Sequence, residues 1–166
     1  AVKSNPQIQI IVPPDACPRI IFGAQKIQEV LEQKSQIIAK EIDAPAEDTI
    51  IVGTPKDGKI FSDALEQLNK KEQSFAIQCD KKDSAIISGS DASGVLYGCL
   101  ELACHIKKLK GIMPENLVFS DSPEFVLRGP CIGMQKPEIM YDGITYDYLY
   151  TPANFPFFYD KRQWIQ

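Results

Sequence analysis

The apolar positions along this chain fall into two periods, one of two residues and one near 3.6. Gln7 to Pro14, QIQIIVPP, alternates and is β-branched, which predicts a strand ended by the Pro13-Pro14 pair. From Phe22 to Lys34, Ile27, Val30 and Leu31 recur at helical spacing with charges opposite, which predicts an amphipathic helix. SQIIAKEI and DTIIVGTP predict two strands around an acidic turn at Asp43 to Asp48, and DALEQLNK predicts a short helix before Asn69. QSFAIQCDKKDSAIISGSD predicts a hairpin: Phe75, Ile77 and Cys79 alternate on one arm, Ile86 and Ile87 lie on the other, and Lys81-Lys82-Asp83 turns. A second long helix is predicted from Ala92 to Lys108, with Val95, Cys99, Leu102, Ala103 and Ile106 on one face. ENLVFSDSPEFVLRG then predicts a strand, a turn at Asp121 to Pro123, and a further strand.

Six strands mostly in hairpin-like succession, with two long helices, predict an α+β fold of the α/β sandwich kind. Its sheet is expected to be mixed and mostly antiparallel, with both long helices packed on one face. After Gly129 the pattern dissolves: nine of the fifteen aromatic residues lie between Tyr141 and Trp164, and no period links them. Structureless stretches beyond roughly 12–15 residues are uncommon within compact domains, so this is expected to be a functional loop or part of another domain. YDKRQWIQ offers Asp160 as an N-cap but supplies far fewer than the ~12–15 residues of an independently stable helix. The expectation is an N-terminal fragment of a longer protein, cut just inside its second domain.

Composition narrows the chemistry. The 166 residues carry a net charge of −4, and the single basic cluster, Lys107, Lys108 and Lys110, sits where a helix C-terminus favours cations. Nucleic-acid binding, which needs clustered positive charge, is therefore not expected. Five widely spaced cysteines (Cys17, Cys79, Cys99, Cys104 and Cys131), no C-x-x-C and one histidine signal neither a disulfide framework nor a zinc site. No apolar run reaches the roughly 18 residues of a membrane span, and no cofactor motif survives inspection.

SGSDASGVLYGCLEL, Ser88 to Leu102, comes nearest to such a motif, as a glycine loop entering a helix. A dinucleotide fingerprint would need glycine where Asp91 stands, and a P-loop would need G-K-S/T where the chain reads Gly94-Val95-Leu96. The structural reading is preferred: Asp91 caps the helix, while Gly94 and Gly98 share a face and let it lie close to the sheet. Cys104 and His105 resemble a nucleophile and base, but adjacent helical residues point about 100° apart. A thiol enzyme using Cys99 or Cys104 is a lesser alternative. Asp142, Asp147 and Asp160 stand among aromatic residues, as acids in sugar sites do, although Asp142-Gly143 also reads as a turn and Asp160 as a cap.

SAIISGSDASGVLYGCLELACHI followed by SDSPEFVLRG resembles the non-catalytic domain preceding the barrel of family-20 glycoside hydrolases, the β-N-acetylhexosaminidases. Ile87, Gly89, Gly94, Tyr97 and Gly98 match its strand, loop and helix pattern; Asp121, Pro123, Phe125, Arg128 and Gly129 match the segment that opens the barrel. The chain is also similar in this respect to the leading domain of α-glucuronidases. The likeness follows the order of elements from Ile8 to Gly129 and is specific over Ser84 to Gly129.

The resemblance implies an accessory α/β domain over residues 1–122. Residues 123–166 would then hold the first strand, an aromatic loop and the helix start of a truncated (β/α)8 barrel. It implies a periplasmic or extracellular glycosidase (O-glycosyl hydrolase) that removes terminal N-acetylhexosamine from glycans, with the carbohydrate substrate as a partner bound through the missing barrel. Arg128 would donate hydrogen bonds to sugar hydroxyls, with an interdomain salt bridge as its other reading. Catalytic residues, a metal and a cofactor would all be absent from this fragment, the catalytic pair lying beyond Gln166. The alternatives are a non-enzymatic module whose aromatic tail binds a glycan or protein, and the leading domain of an α-glucuronidase-like glycosidase.

Overall fold

A computed structural model describes residues 7–41, 44–66, 71–80, 83–125, 129, 138–141 and 144–147, the last two segments by backbone alone. The chain divides into two compact units, Ala1–Val126 and Leu127–Gln166. The first contains, in chain order, β1 (Ile8–Val12), α1 (Pro18–Leu31), a 3-10 turn (Glu32–Lys34), β2 (Ser35–Ala39), β3 (Thr49–Gly53), α2 (Lys59–Leu65), β4 (Phe75–Cys79), β5 (Ala85–Gly89), α3 (Ala92–Lys108) and β6 (Val118–Asp121).

These strands form one mixed sheet in the order β2-β1-β3-β5-β4-β6. β1 pairs in parallel with both β2 and β3, and β3 in parallel with β5, whereas β4 pairs antiparallel with β5 and with β6. The expectation of a mostly antiparallel sheet is therefore corrected, because three of the five pairings in this sheet are parallel. The physical reason lies in the connections. α1 carries the chain from β1 back to start β2 in the same direction, and β2 and β3 are not neighbours but flank β1. In this sheet the β4–β5 hairpin, predicted from the sequence, alone joins neighbouring strands through a short turn, with Ile77 opposite Ile87.

Strand alternation then decides which face each helix covers. Ile10 and Val12 of β1, Ile50 and Val52 of β3, and Ile77 and Ile87 of the hairpin share one core with Ile20, Ala24, Ile27 and Leu31 of α1 and Val95, Cys99, Leu102 and Ile106 of α3. Ile11, Ile51 and Ile86 point the other way and are covered by Phe61 and Ile60 of α2. The short helix thus caps the face opposite the two long ones, and the sheet is covered on both sides, unlike the two-layer sandwich expected. Burial on both faces accounts for the uninterrupted apolar run TIIVG of β3, buried at every position.

Helix ends explain one shift from prediction and one agreement. α1 starts four residues before Phe22, because Pro18 sits at its first position, where a missing N–H costs nothing. α3 runs from Ala92 to Lys108 as predicted. Its C-terminus closes with Gly111 N–H donating to the Ile106 carbonyl (2.9 Å) and Lys110 N–H to Lys107 (3.1 Å), with Lys110 in the left-handed region at φ 57°. The one basic cluster of the sequence therefore lies at a helix C-terminus, where cations complement the dipole.

In the second unit, β7 (Glu138–Tyr141) and β8 (Ile144–Asp147) pair antiparallel with Tyr141 opposite Ile144. This hairpin replaces part of the stretch expected to lack periodic structure. The barrel strand expected after the turn at Asp121 to Pro123 falls mostly outside the described residues, as does the helix start after Asp160; Glu124 and Phe125, which are described, belong to no strand.

Candidate functional site

The glycine loop is a packing device. At its centre Asp91 Oδ1 accepts hydrogen bonds from the N–H groups of Ser93 (2.9 Å) and Gly94 (2.8 Å), capping α3, while Oδ2 accepts from Gln73 N–H (2.9 Å). Around it the glycines leave no room. A Cβ on Gly89 would meet the Val95 backbone nitrogen, one on Gly94 the Ser74 carbonyl oxygen, and one on Gly98 would lie 2.6 Å from Ile87 Cγ2. The donors a phosphate would need are already used, and a carboxylate holds them.

Among the described residues the thiols offer no nucleophile with a base. Cys99 is fully buried, and that burial pushes its thiol pKa far up. Cys79 is pushed up to about 12, by burial first and by the neighbouring Asp80 charge second. Cys104 is exposed, and no hydrogen bond joins it to His105, whose Nε2 lies 3.2 Å from Glu101 Oε1 one turn earlier. The thiol-enzyme alternative lacks its geometry. Among the described residues no His, Cys, Asp or Glu cluster could hold a metal ion, and no helix is long and apolar enough to cross a membrane.

Arg128, Asp142 and Asp160 lie outside the described residues. Asp147 is described only as a backbone position of β8. The side chains expected to bind sugar thus all lie outside the described ones.

What it does assemble is a crevice that the sequence did not announce, at the carboxyl ends of the parallel strands. After β1 the chain turns at once, with Ala16 N–H donating to the Pro13 carbonyl (3.1 Å), which leaves Pro14 and Asp15 at the surface. After β2, Lys40 N–H donates to the Val12 carbonyl (3.1 Å) and so holds Lys40 against the end of β1. Following β3, Asp57 Oδ2 accepts from Thr54 N–H (2.7 Å) and Thr54 Oγ1 (2.8 Å), closing a turn that presents Lys56. Pro13, Pro14, Asp15, Lys40, Glu41, Lys56 and Asp57 line a hollow of about 450 Å³. Among the described residues neither Lys40 nor Lys56 has a hydrogen-bonding or ionic partner for its ammonium group. A second hollow, of about 600 Å³, lies beside Gln9 and Ile11 under the 44–49 connection and shares Lys40 and Glu41. The signal that could have found the first crevice is topological: it exists only because β1, β2 and β3 run in the same direction.

No family model and no curated protein matches this chain. Among solved structures, the chain is similar over 95% of its length to a GH138 enzyme targeting pectin rhamnogalacturonan II, at 31% identity and a TM-score of 0.64. The relative is a glycoside hydrolase. A second similar structure is a GH115 4-O-methyl-α-glucuronidase with specificity for decorated arabinogalactans, at 22% identity, 75% of this chain and a TM-score of 0.47. This chain spans only 16% of the first protein and 17% of the second.

The first likeness corrects the expected family: the chain is similar to a GH138 enzyme and not specifically to the family-20 hexosaminidases. The reason for the misassignment is visible in the loop. Gly89, Gly94 and Gly98 match because a helix must approach a sheet closely there. That requirement belongs to the packing of the domain and carries no information about a sugar.

Proposed function

We propose that this chain is the scaffolding α/β domain of a glycoside hydrolase acting on pectic glycans, outside the hexosaminidases. The observation that supports this reading is the 31% identity over 95% of the chain to an enzyme targeting pectin rhamnogalacturonan II. The described residues fit a supporting role: the glycines and capping carboxylate of the β5–α3 loop and the buried thiols are committed to packing. The 166-residue chain by itself is then inactive, and hydrolysis belongs to residues of a larger parent. Since pectic substrates lie outside the cell, the parent is periplasmic or extracellular. Arg128 retains its proposed role on chemical grounds, a guanidinium with five donors suiting sugar hydroxyls.

The test is to assay the full-length parent and the 166-residue chain on oligosaccharides from pectin rhamnogalacturonan II. The parent should release sugar and the chain should not. R128K in the parent should raise KM while leaving its melting temperature unchanged. A parent inactive on every glycoside, or a chain active alone, would overturn the reading.

A further inference from the structure

Neighbouring parallel strands β1 and β3 send the chain to opposite faces of the sheet, β1 into α1 and β3 into α2. Where such connections diverge, neither helix covers the gap between the strand ends, and a crevice opens there in open α/β sheets. The hollow formed by the turns after β1, β2 and β3 occupies this position, and its roughly 450 Å³ falls within the range of small-ligand sites, about 300–1,000 Å³.

We propose that this crevice is a non-catalytic subsite for a saccharide unit of the glycan, an inference that rests on the glycoside hydrolase reading above. Its chemistry selects the ligand class. The ammonium groups of Lys40 and Lys56 are unpaired donors among the described residues, whereas Lys26 on α1 is engaged by Glu29 (2.8 Å) and the Phe22 ring. Asp15 and Glu41 supply acceptors, and the exposed Pro14 ring supplies a short apolar face. A pyranose, whose hydroxyls both donate and accept around a face of C–H bonds, uses all three. A phosphate is disfavoured because three carboxylates outnumber two lysines. A metal ion is disfavoured because the carboxylates do not converge. Asp57 contributes through position, since Thr54 already holds one of its oxygens.

The test uses the 166-residue chain, labelled with 15N and titrated with oligosaccharides from pectin rhamnogalacturonan II. Amide shifts are expected at Asp15, Lys40 and Lys56. The K40A/K56A double variant should bind at least about fivefold more weakly, with unchanged far-UV circular dichroism and melting temperature. Shifts confined to other residues, or undiminished binding by the double variant, would overturn the subsite. A parent that hydrolyses the glycan while the crevice stays silent rejects the subsite alone. A crevice that binds, in a protein whose parent cleaves no glycoside, rejects the hydrolase reading and leaves the binding site standing.

Discussion

Two kinds of loop leave the carboxyl ends of parallel strands in this domain, and they are finished in opposite ways. After β5 the chain enters α3 through Gly89, Ser90 and Asp91. The donors near the turn are taken: Asp91 holds Ser93, Gly94 and Gln73, and Ser90 N–H donates to the Ser74 carbonyl (2.9 Å). After β1 and β3 the turns close on themselves and leave charged side chains facing open space. The first loop has the sequence of a binding site and the physics of a core; the second has an ordinary sequence and the position of a binding site. Glycines allow close approach, but whether a ligand or the protein's own backbone makes that approach is decided by what already occupies the donors.

The largest effect that would break this contrast is expected at Gly94. A Cβ there meets the Ser74 carbonyl oxygen, which cannot retreat without losing its bond from Ser90. G94A should therefore cost about 3 kcal/mol in urea denaturation. A cost near zero would mean that the loop is not close-packed and would reopen it as a ligand cradle.

Next in size is D91A, which removes the α3 cap and strands the Gln73 N–H. A loss of about 2 kcal/mol is expected, read by the same denaturation. If added phosphate raised the melting temperature of the D91A variant by several degrees, the loop would be a masked anion site and the contrast would soften.

The smallest effect is expected on the open side. K40A/K56A should change unfolding free energy by less than about 0.5 kcal/mol, because neither ammonium group has a partner to lose among the described residues. A larger loss in thermal or chemical denaturation would show that these lysines are structural and that both loops are closed.

Much of the local structure was legible in the chain. The span of α3 and its buried face at Val95, Cys99, Leu102, Ala103 and Ile106 follow from period alone, as do β1 and the β4–β5 hairpin. Asp91 was legible as a cap because a short carboxylate before a helical run has few other uses. The hairpin of β7 and β8 was half-legible. Asp142-Gly143 gives a strong turn signal, whereas the flanking strands, four residues each, are too short to stand out as a period within the aromatic stretch. The crevice was not legible at all: Asp15, Lys40 and Lys56 are far apart in sequence and belong to no motif.

Hydrophobic period, caps and turn residues thus determined which segments are strands and helices, since these depend on contacts within a few residues. Strand order, direction and the face each helix covers were decided only in three dimensions. An apolar run such as TIIVG is compatible with either direction, and its parallel placement comes from burying both of its faces at once. The divergence of α1 and α2 follows from that placement, and with it the open, charged hollow at the ends of β1 and β3.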